Sequence, residues 1–270
     1  MIRLIVILLV GALAWMTWWA VGHTAYEKGL SAWIEQRRAE GWAADVGSLH
    51  TAGFPNRFDT TLTDLRLADP ETGVAWTAPF LQFLSLAYKP HQVIAVLPEK
   101  HQFSTPVGAI DISHKDARAS LFLKAETALG LDQAIFVFED LQLEAEEGWT
   151  TRLTSGRFAA ESVAAAENTY RLGADVAGFT PTIALRRLLD PARVLPETVE
   201  SLRFDATTAF DRPWDRFAIE DARPQPTRID LMELSARWGT ATFRAAGEVD
   251  VTEAGYPEGE ITIRAVEWRK

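Results

Sequence analysis

Hydrophobic and polar residues alternate along most of the chain, and the alternation is most regular in the C-terminal third. Leu202, Phe204, Ala206, Thr208 and Phe210 occupy every second position, with Arg203 and Asp205 among the residues between them. A period of two places successive side chains on opposite sides of a strand. The pattern therefore predicts an antiparallel sheet with one apolar and one solvated face.

Weaker alternation continues upstream to position 42, so the chain is predicted to be mainly β. Short connections between the predicted strands indicate a long antiparallel meander in which sequence neighbours pair. One helix is expected near 181–189, because Thr180-Pro181 resembles an N-cap followed by proline at the first helical position. The predicted organisation after the N-terminal helices is a first β subdomain (42–178), a helical joint (179–198) and a second β subdomain (199–270).

The N-terminus follows a different pattern. Residues 4–21 carry no charge, and as a helix they would extend roughly 27 Å, close to a bilayer core. We predict a transmembrane anchor (1–22) with Trp15, Trp18 and Trp19 at the membrane interface. Arg3 favours a cytoplasmic N-terminus. A cleaved signal peptide ending near Ala20-Val21-Gly22 is the alternative. A separate amphipathic helix (23–41) follows.

These strands have one apolar face each and few helices to cover it. The sheet must curl over its own apolar face as a groove or half-barrel, or fill the interior with its own side chains as a packed barrel or sandwich. Both outcomes stay open. The residues expected to line an apolar groove are Leu121, Leu123, Ile135, Val137, Leu141, Leu143, Phe204, Phe210, Phe243, Val249, Ile261 and Ile263.

Composition narrows the function classes. The net charge of −10 disfavours nucleic acid as a partner, since phosphate contact needs clustered Lys and Arg. The absence of cysteine excludes disulfides and thiol chemistry. No phosphate loop, nucleophile elbow or zinc helix occurs, so we expect no cofactor, no metal and no enzymatic activity. The five histidines are interpreted as solvated turn residues. A metal site formed by His91 and His101 across a hairpin is the less favoured interpretation.

The charged residues of two turns have either a structural role or a role in binding. Asp211, Arg212, Asp215 and Arg216 surround Pro213-Trp214, and they form either a charge-paired turn or a rim for a protein partner. Arg57, directly after a Gly-Phe-Pro turn, either bonds turn carbonyls or recognises a lipid headgroup.

Several turn motifs carry a family resemblance. Gly53-Phe54-Pro55-Asn56-Arg57-Phe58, Trp76-Thr77-Ala78-Pro79, Tyr88-Lys89-Pro90-His91 and Leu97-Pro98 resemble the DUF2125 family of membrane-anchored envelope proteins of Gram-negative bacteria. Gly53, Phe54, Pro55 and Arg57 form the motif turn. The C-terminal segments around Trp238-Gly239, Gly247 to Val251, Gly255 to Gly259 and Trp268 are similar to the terminal repeat of AsmA-like proteins. That similarity implies a lipid-carrying β-groove that is attached to an inner-membrane helix.

The sequence thus predicts a single-pass inner-membrane protein whose bulk lies in the periplasm. Its β-domain is expected to hold or pass an apolar molecule such as a lipid acyl chain, without catalysis. The alternative is a structural or scaffold envelope protein that binds a protein partner through a sheet edge.

Overall fold

The computed structural model describes residues 1–220, 223–252 and 254–267. Trp268, one of the positions in the AsmA-like resemblance, lies outside them. The chain forms two compact units, Met1–Ala109 (unit 1) and Ile110 onward (unit 2). The helices are α1 (Ile2–Ala39), α2 (Ile183–Leu189) and α3 (Phe217–Glu220).

Antiparallel strands make up most of both units, which confirms the mainly β prediction. Unit 1 contains β1 (Ala43–Asp45), β2 (Ser48–Ala52), β3 (Arg57–Asp69), β4 (Val74–Leu86), β5 (Lys89–Val96) and β6 (Lys100–Thr105). The later strands are β7 (Gly108–Ser113), β8 (Asp116–Leu123), β9 (Leu131–Ala145), β10 (Thr150–Ser162), β11 (Thr169–Phe179), β12 (Val199–Phe210), β13 (Pro226–Trp238), β14 (Ala241–Val251) and β15 (Pro257–Val266).

A single helix replaces the two that the sequence predicts at the N-terminus. α1 runs without interruption from Ile2 to Ala39, through the expected joint near Gly22 and His23. No proline occurs before Pro55, and one glycine weakens a helix by only about 1 kcal/mol. The helix stops before Gly41, whose φ of +92° favours a residue without a Cβ.

Unit 1 covers one face of its sheet with α1. β3 pairs with β1, β2 and β4, and β4 pairs with β5 and β6. The core beneath the C-terminal half of α1 consists of Ile34, Ala44, Leu62, Leu65 and Ala78. This helix therefore supplies the apolar layer that the sheet of unit 1 needs.

Unit 2 is a meander in strict sequence order. Strands β8 to β15 each pair with the next, and β7 pairs with β9. The predicted joint at 179–198 does not interrupt this order, because β11 and β12 on either side of it are hydrogen-bonded neighbours. The structure thus divides the chain near position 109 rather than near 179.

The joint itself contains the expected short helix. α2 is capped by Thr182, whose side chain accepts a hydrogen bond from the Leu185 amide (3.2 Å), rather than by Thr180. Thr180 instead continues the sheet through an isolated bridge to Arg152. The buried Asp190 carboxylate then accepts the amides of Val194 and Leu195, each at 3.0 Å, which fixes the chain after the helix.

One aspartate interrupts the alternation in each of the two longest hairpins. Asp64 in β3 and Asp140 in β9 have φ of 50° and 51°, and both positions are left out of an otherwise regular register with β4 and β10. Aspartate tolerates this left-handed conformation better than most residues do. After Asp64 the buried positions change from even to odd numbers, from Leu62 to Leu65.

Candidate functional site

The register of unit 2 aligns the apolar positions of eight strands on one face of the sheet. Ala119 pairs with Phe136, Phe136 with Phe158, and Phe158 with Ala174, and the row continues through Phe204 and Leu234 to Ala245 and Ile263. Directly paired residues lie on the same side of an antiparallel sheet. Unit 2 therefore carries an uninterrupted apolar face from β8 to β15.

The aromatic residues at the β9–β10 end of this face contact one another. The rings of Phe136, Phe138 and Phe158 have centroid separations of 5.9 to 6.4 Å. Phe138 is buried against Gly156, where an added Cβ would lie 2.2 Å from the phenylalanine ring. Glycine is thus required opposite Phe138, and the rings at this end contact one another, although Phe158 keeps 43% of its surface exposed.

The β11–β15 end is open. Here the face surrounds a hollow of about 470 Å³, within the usual range for small-molecule sites. The hollow is lined by Leu172, Phe204, Thr208, Phe210, Pro226, Ile229, Leu231, Val249, Pro257 and Ile261. Thr208 is the only polar residue among them. Ile261 in this lining, and Ile263 further along the same face of β15, keep 48% and 61% of their surface exposed.

The structure places seven of the twelve expected lining residues on this face: Leu121, Phe204, Phe210, Phe243, Val249, Ile261 and Ile263. Four of them, Phe204, Phe210, Val249 and Ile261, line the hollow itself. Leu172, Ile229 and Leu231 line it as well, although the sequence analysis does not predict them there. The alternation of β11 and β13 contains the signal that would have found them.

Ile135 and Val137, which the sequence predicts on the apolar face, lie on the opposite face of β9. Val137 pairs with Arg118 on one side and with Arg157 on the other, and Ile135 pairs with Ser120. Both therefore lie on the polar face. The alternation inside β9 is correct, but either of its two faces could have been the apolar one, because Phe136 and Phe138 alternate with Ile135 and Val137.

The remaining three expected residues lie at irregular positions. Leu123 follows a register shift after Phe122 and pairs with Leu131. Leu141 and Leu143 come after Asp140, where the alternation changes phase, and pair with Leu153 and the buried Thr151. All three are half-buried.

The opposite face of unit 2 is charged. A second hollow, of about 700 Å³, is lined there by Arg118, Arg157, Arg203, Asp116, Glu139, Asp175 and Glu233 among others. Cross-strand ion pairs join Arg203 to Asp175 (2.9 Å) and Arg171 to Asp205 (2.7 Å). Hydrogen bonding from Arg171 is the main reason that the pKa of Asp205 lies below its usual value. Three arginines and four carboxylates line this hollow, so it has no strong preference for one sign of charge.

The charged groups singled out as possible sites are engaged locally. Arg57 donates to Asp59 at 2.9 Å rather than to a turn carbonyl. Asp211 accepts the Gln225 amide at 2.7 Å, and Asp215 accepts the amides of Phe217 and Ala218. Each carboxylate thus caps the backbone of the turn that carries it.

Trp76 donates its indole hydrogen to His101 Nδ1 at 3.3 Å, so one nitrogen of the proposed His91–His101 pair already has a protein partner. Across residues 1–220, 223–252 and 254–267, no group of three or more His, Asp or Glu side chains is arranged to hold a metal ion.

Three of the four tryptophans of α1 donate hydrogen bonds to the motif turn and to the neighbouring β4–β5 turn. Trp15 and Trp19 donate their indole hydrogens to the carbonyls of Pro55 and Arg57, each at 2.9 Å. Trp18 donates to the carbonyl of Ala87, in the β4–β5 turn, at 2.8 Å. The sequence suggested membrane-interface positions for these side chains but gave no sign of this contact with the turns.

The fold defines a class: a mainly antiparallel β protein led by one helix that is long and apolar enough to cross a membrane. The chain belongs to the DUF2125 family, described as an uncharacterised protein conserved in bacteria, whose family model matches residues 19–270. No curated protein and no solved structure matches the chain, and the AsmA-like resemblance stays a prediction.

Proposed function

We propose that this protein is held in the inner membrane by α1 and that the apolar face of unit 2 binds or passes a lipid acyl chain without catalysis. One observation carries the proposal: the open hollow between β11 and β15, whose lining contains a single polar residue. A protein stabilised only by its own packing would fill such a space. An apolar ligand would do so without any charged partner.

Burial of hydrocarbon supplies enough free energy for an acyl chain to bind in this hollow. Each methylene removed from water contributes about 0.8 kcal/mol, so burying even six carbons of an acyl chain yields about 5 kcal/mol before the cost of association. Thr208, which is buried at the hollow, offers one hydroxyl but no charge. The site is thus suited to a hydrocarbon chain better than to a headgroup.

The proposed location follows from α1. Its most apolar part precedes the β units, and Arg3 lies at its start. The positive-inside rule then places the N-terminus in the cytoplasm and the β units in the periplasm.

The test uses full-length protein in vesicles that contain a phospholipid with a photoreactive acyl chain. After illumination, we expect cross-linked peptides from β12 to β15 as well as from α1. The variant Val249→Glu/Ile261→Glu should lose the β12–β15 products and keep those of α1. The matched control Ala246→Glu/Thr262→Glu alters the polar face of the same two strands and should keep both. Cross-links confined to α1 in the wild type would contradict the proposal.

A second candidate is a scaffold that binds a protein partner through a sheet edge. All ten residues of β15 are exposed, and in the described residues this strand pairs only with β14. An unpaired edge of this length is a ready template for an added strand. A stoichiometric partner whose capture is abolished by Thr262→Pro, with no acyl cross-linking to unit 2, would favour this function over the first.

A further inference from the structure

The contacts of α1 with two turns of unit 1 determine how much of the helix is free to cross a bilayer. Trp15 is the first residue of α1 that bonds to the β structure. The stretch from Ile2 to Ala14 is about 20 Å long at 1.5 Å per residue. A bilayer core is about 30 Å thick, so this free stretch is roughly 10 Å too short to span it alone.

The missing length must come from the part of α1 that carries the turns. Trp15, Trp18 and Trp19 lie within that part, and their partners are carbonyls of the β2–β3 and β4–β5 turns. When these residues enter the membrane, the two turns enter beside them. The turns therefore reach at least the interfacial layer of the bilayer.

The surface of the turns is suited to that layer. Phe54 and Tyr88 expose 56% and 58% of their surface, and Leu86 is also exposed. Phe54 lies edge-on to Trp19, with ring centroids 5.3 Å apart, so its exposed part faces away from the helix contact. Aromatic side chains with one apolar and one hydrated part are enriched at membrane interfaces.

Several backbone groups of the turns have hydrogen-bond partners within the protein, which lowers the cost of placing them in a low-polarity environment. The amides of Asn56 and Arg57 both donate to the Gly53 carbonyl, and the amide of Ala87 donates to the Asn56 carbonyl at 2.8 Å. The carbonyls of Pro55, Arg57 and Ala87 each accept a hydrogen bond from a tryptophan indole of α1. Backbone groups that are satisfied internally can approach hydrocarbon at little cost.

We propose that the β2–β3 and β4–β5 turns, which lie along the face of α1 that carries Trp15, Trp18 and Trp19, rest in the interfacial layer of the same bilayer, with Phe54 and Tyr88 inserted among the lipid headgroups. The inference rests on the proposed function only in requiring that α1 stays attached and inserted. It does not depend on an acyl chain in unit 2.

The absence of cysteine makes the test direct, since a single introduced cysteine can carry an environment-sensitive fluorophore. Four full-length variants are compared in phosphatidylcholine vesicles: Phe54→Cys, Tyr88→Cys, Glu71→Cys and Leu8→Cys. Glu71 lies in the exposed β3–β4 turn, at the other end of its hairpin, and Leu8 lies in the free part of α1. Spin-labelled lipids with quenchers at shallow and deep positions report the depth of each probe.

We expect the probes at positions 54 and 88 to lose fluorescence to the shallow quencher more than to the deep one. The probe at 71 should be unaffected by either, and the probe at 8 should respond most to the deep quencher. A deep signal at 8 together with unquenched probes at both 54 and 88 overturns the insertion of the turns while the anchor stands. An unquenched probe at 8 overturns both the anchor and the insertion of the turns. Neither result depends on acyl cross-linking in unit 2, which tests the proposed function separately.

Discussion

The hairpins β3–β4 and β9–β10 are built alike and end in different surroundings. Each has a left-handed aspartate followed by Leu-x-Leu, namely Asp64 with Leu65 and Leu67, and Asp140 with Leu141 and Leu143. In unit 1, α1 packs on the hairpin and buries Leu62 and Leu65. In unit 2, the described helices have only seven and four residues. Similar strands thus yield a closed core where a helix is available and an open apolar face where none is.

The comparison shows that a strand becomes part of a core when a helix packs over its apolar face. Without such a helix, a strand with the same pattern keeps that face exposed. Phe58 on β3 has 1% of its surface exposed, and Phe158 on β10 has 43%. Both are phenylalanines at apolar positions of long strands. What differs is whether another element lies over them, and this difference can be measured.

The largest effect is expected from truncating Phe58, with the truncation of Phe158 as its comparison. Phe58 packs against Tyr26 and Trp19, with ring centroids 5.2 and 6.1 Å away, so Phe58→Ala should cost about 3–5 kcal/mol. Phe158→Ala removes a ring that is already partly solvated and should cost about 1 kcal/mol. Urea unfolding in one detergent, followed by circular dichroism, gives both values. Equal losses would show that the apolar face of unit 2 is as well covered as the core of unit 1.

A second effect concerns how closely α1 approaches β3. A Cβ at Gly22 would lie 2.2 Å from the Phe58 ring, so Gly22→Ala should push helix and sheet apart and cost about 1–3 kcal/mol. Gly29→Ala is the matched control on the same helix. Nothing lies within 4 Å of its added Cβ, and this variant should gain up to about 1 kcal/mol from helix propensity. Thermal unfolding of both variants provides the measurement; a neutral Gly22→Ala would argue against tight packing there.

A third effect tests whether the two hairpins share one backbone device. Valine strongly disfavours positive φ, so Asp64→Val and Asp140→Val should each cost about 1–3 kcal/mol. Asp64→Gly and Asp140→Gly should cost little, because glycine adopts this conformation readily. Denaturant midpoints of the four variants check the expectation. If valine and glycine behave alike at one site, the phase change in that hairpin does not depend on the left-handed residue.

The sequence was sufficient for the mainly β class and for the sequential pairing in unit 2, but not for the branched pairing in unit 1, where β3 pairs with β1 and β4 pairs with β6. Strict alternation in β12 and β14 identifies their faces, and short connections predict sequential pairing, as observed for β8 to β15. The same logic failed at β9, where Ile135 and Val137 alternate with Phe136 and Phe138. When both faces of a strand are hydrophobic, only the register with β8 and β10 tells which of them is apolar.

Two other features could not be predicted from local pattern. α1 is continuous because no residue near Gly22 breaks the helix. The change from an apolar to an amphipathic composition at this point suggests two helices, although the backbone does not stop there. The bonds from Trp15, Trp18 and Trp19 to the turns join residues about 40 to 70 positions apart. A tryptophan that ends an apolar run is equally suited to a membrane interface and to a turn carbonyl, so sequence alone does not distinguish these partners.

The smallest effect lies on the charged face of unit 2. Hydrogen bonding from Arg171 lowers the pKa of Asp205, so the folded state favours the ionised carboxylate. This stabilisation is complete above the ordinary aspartate pKa of about 3.9 and is lost as the pH falls through the lower folded value. Since the pair is largely solvated, Asp205→Asn should cost less than about 1 kcal/mol at pH 7.

Urea unfolding at pH 7 and at successively lower pH checks both the size and the sign. The difference between wild type and Asp205→Asn should shrink below about pH 4, where the Asp205 carboxylate of the unfolded chain becomes protonated, and should vanish at the lower pH where the folded carboxylate also binds a proton. Glu258→Gln is the control, because this exposed carboxylate has no ion pair among the described residues, and it should leave stability within about 0.5 kcal/mol. A difference that grows on acidification would mean that Asp205 is destabilised by its neighbours, and that the polar face of unit 2 is strained rather than supported by its ion pairs.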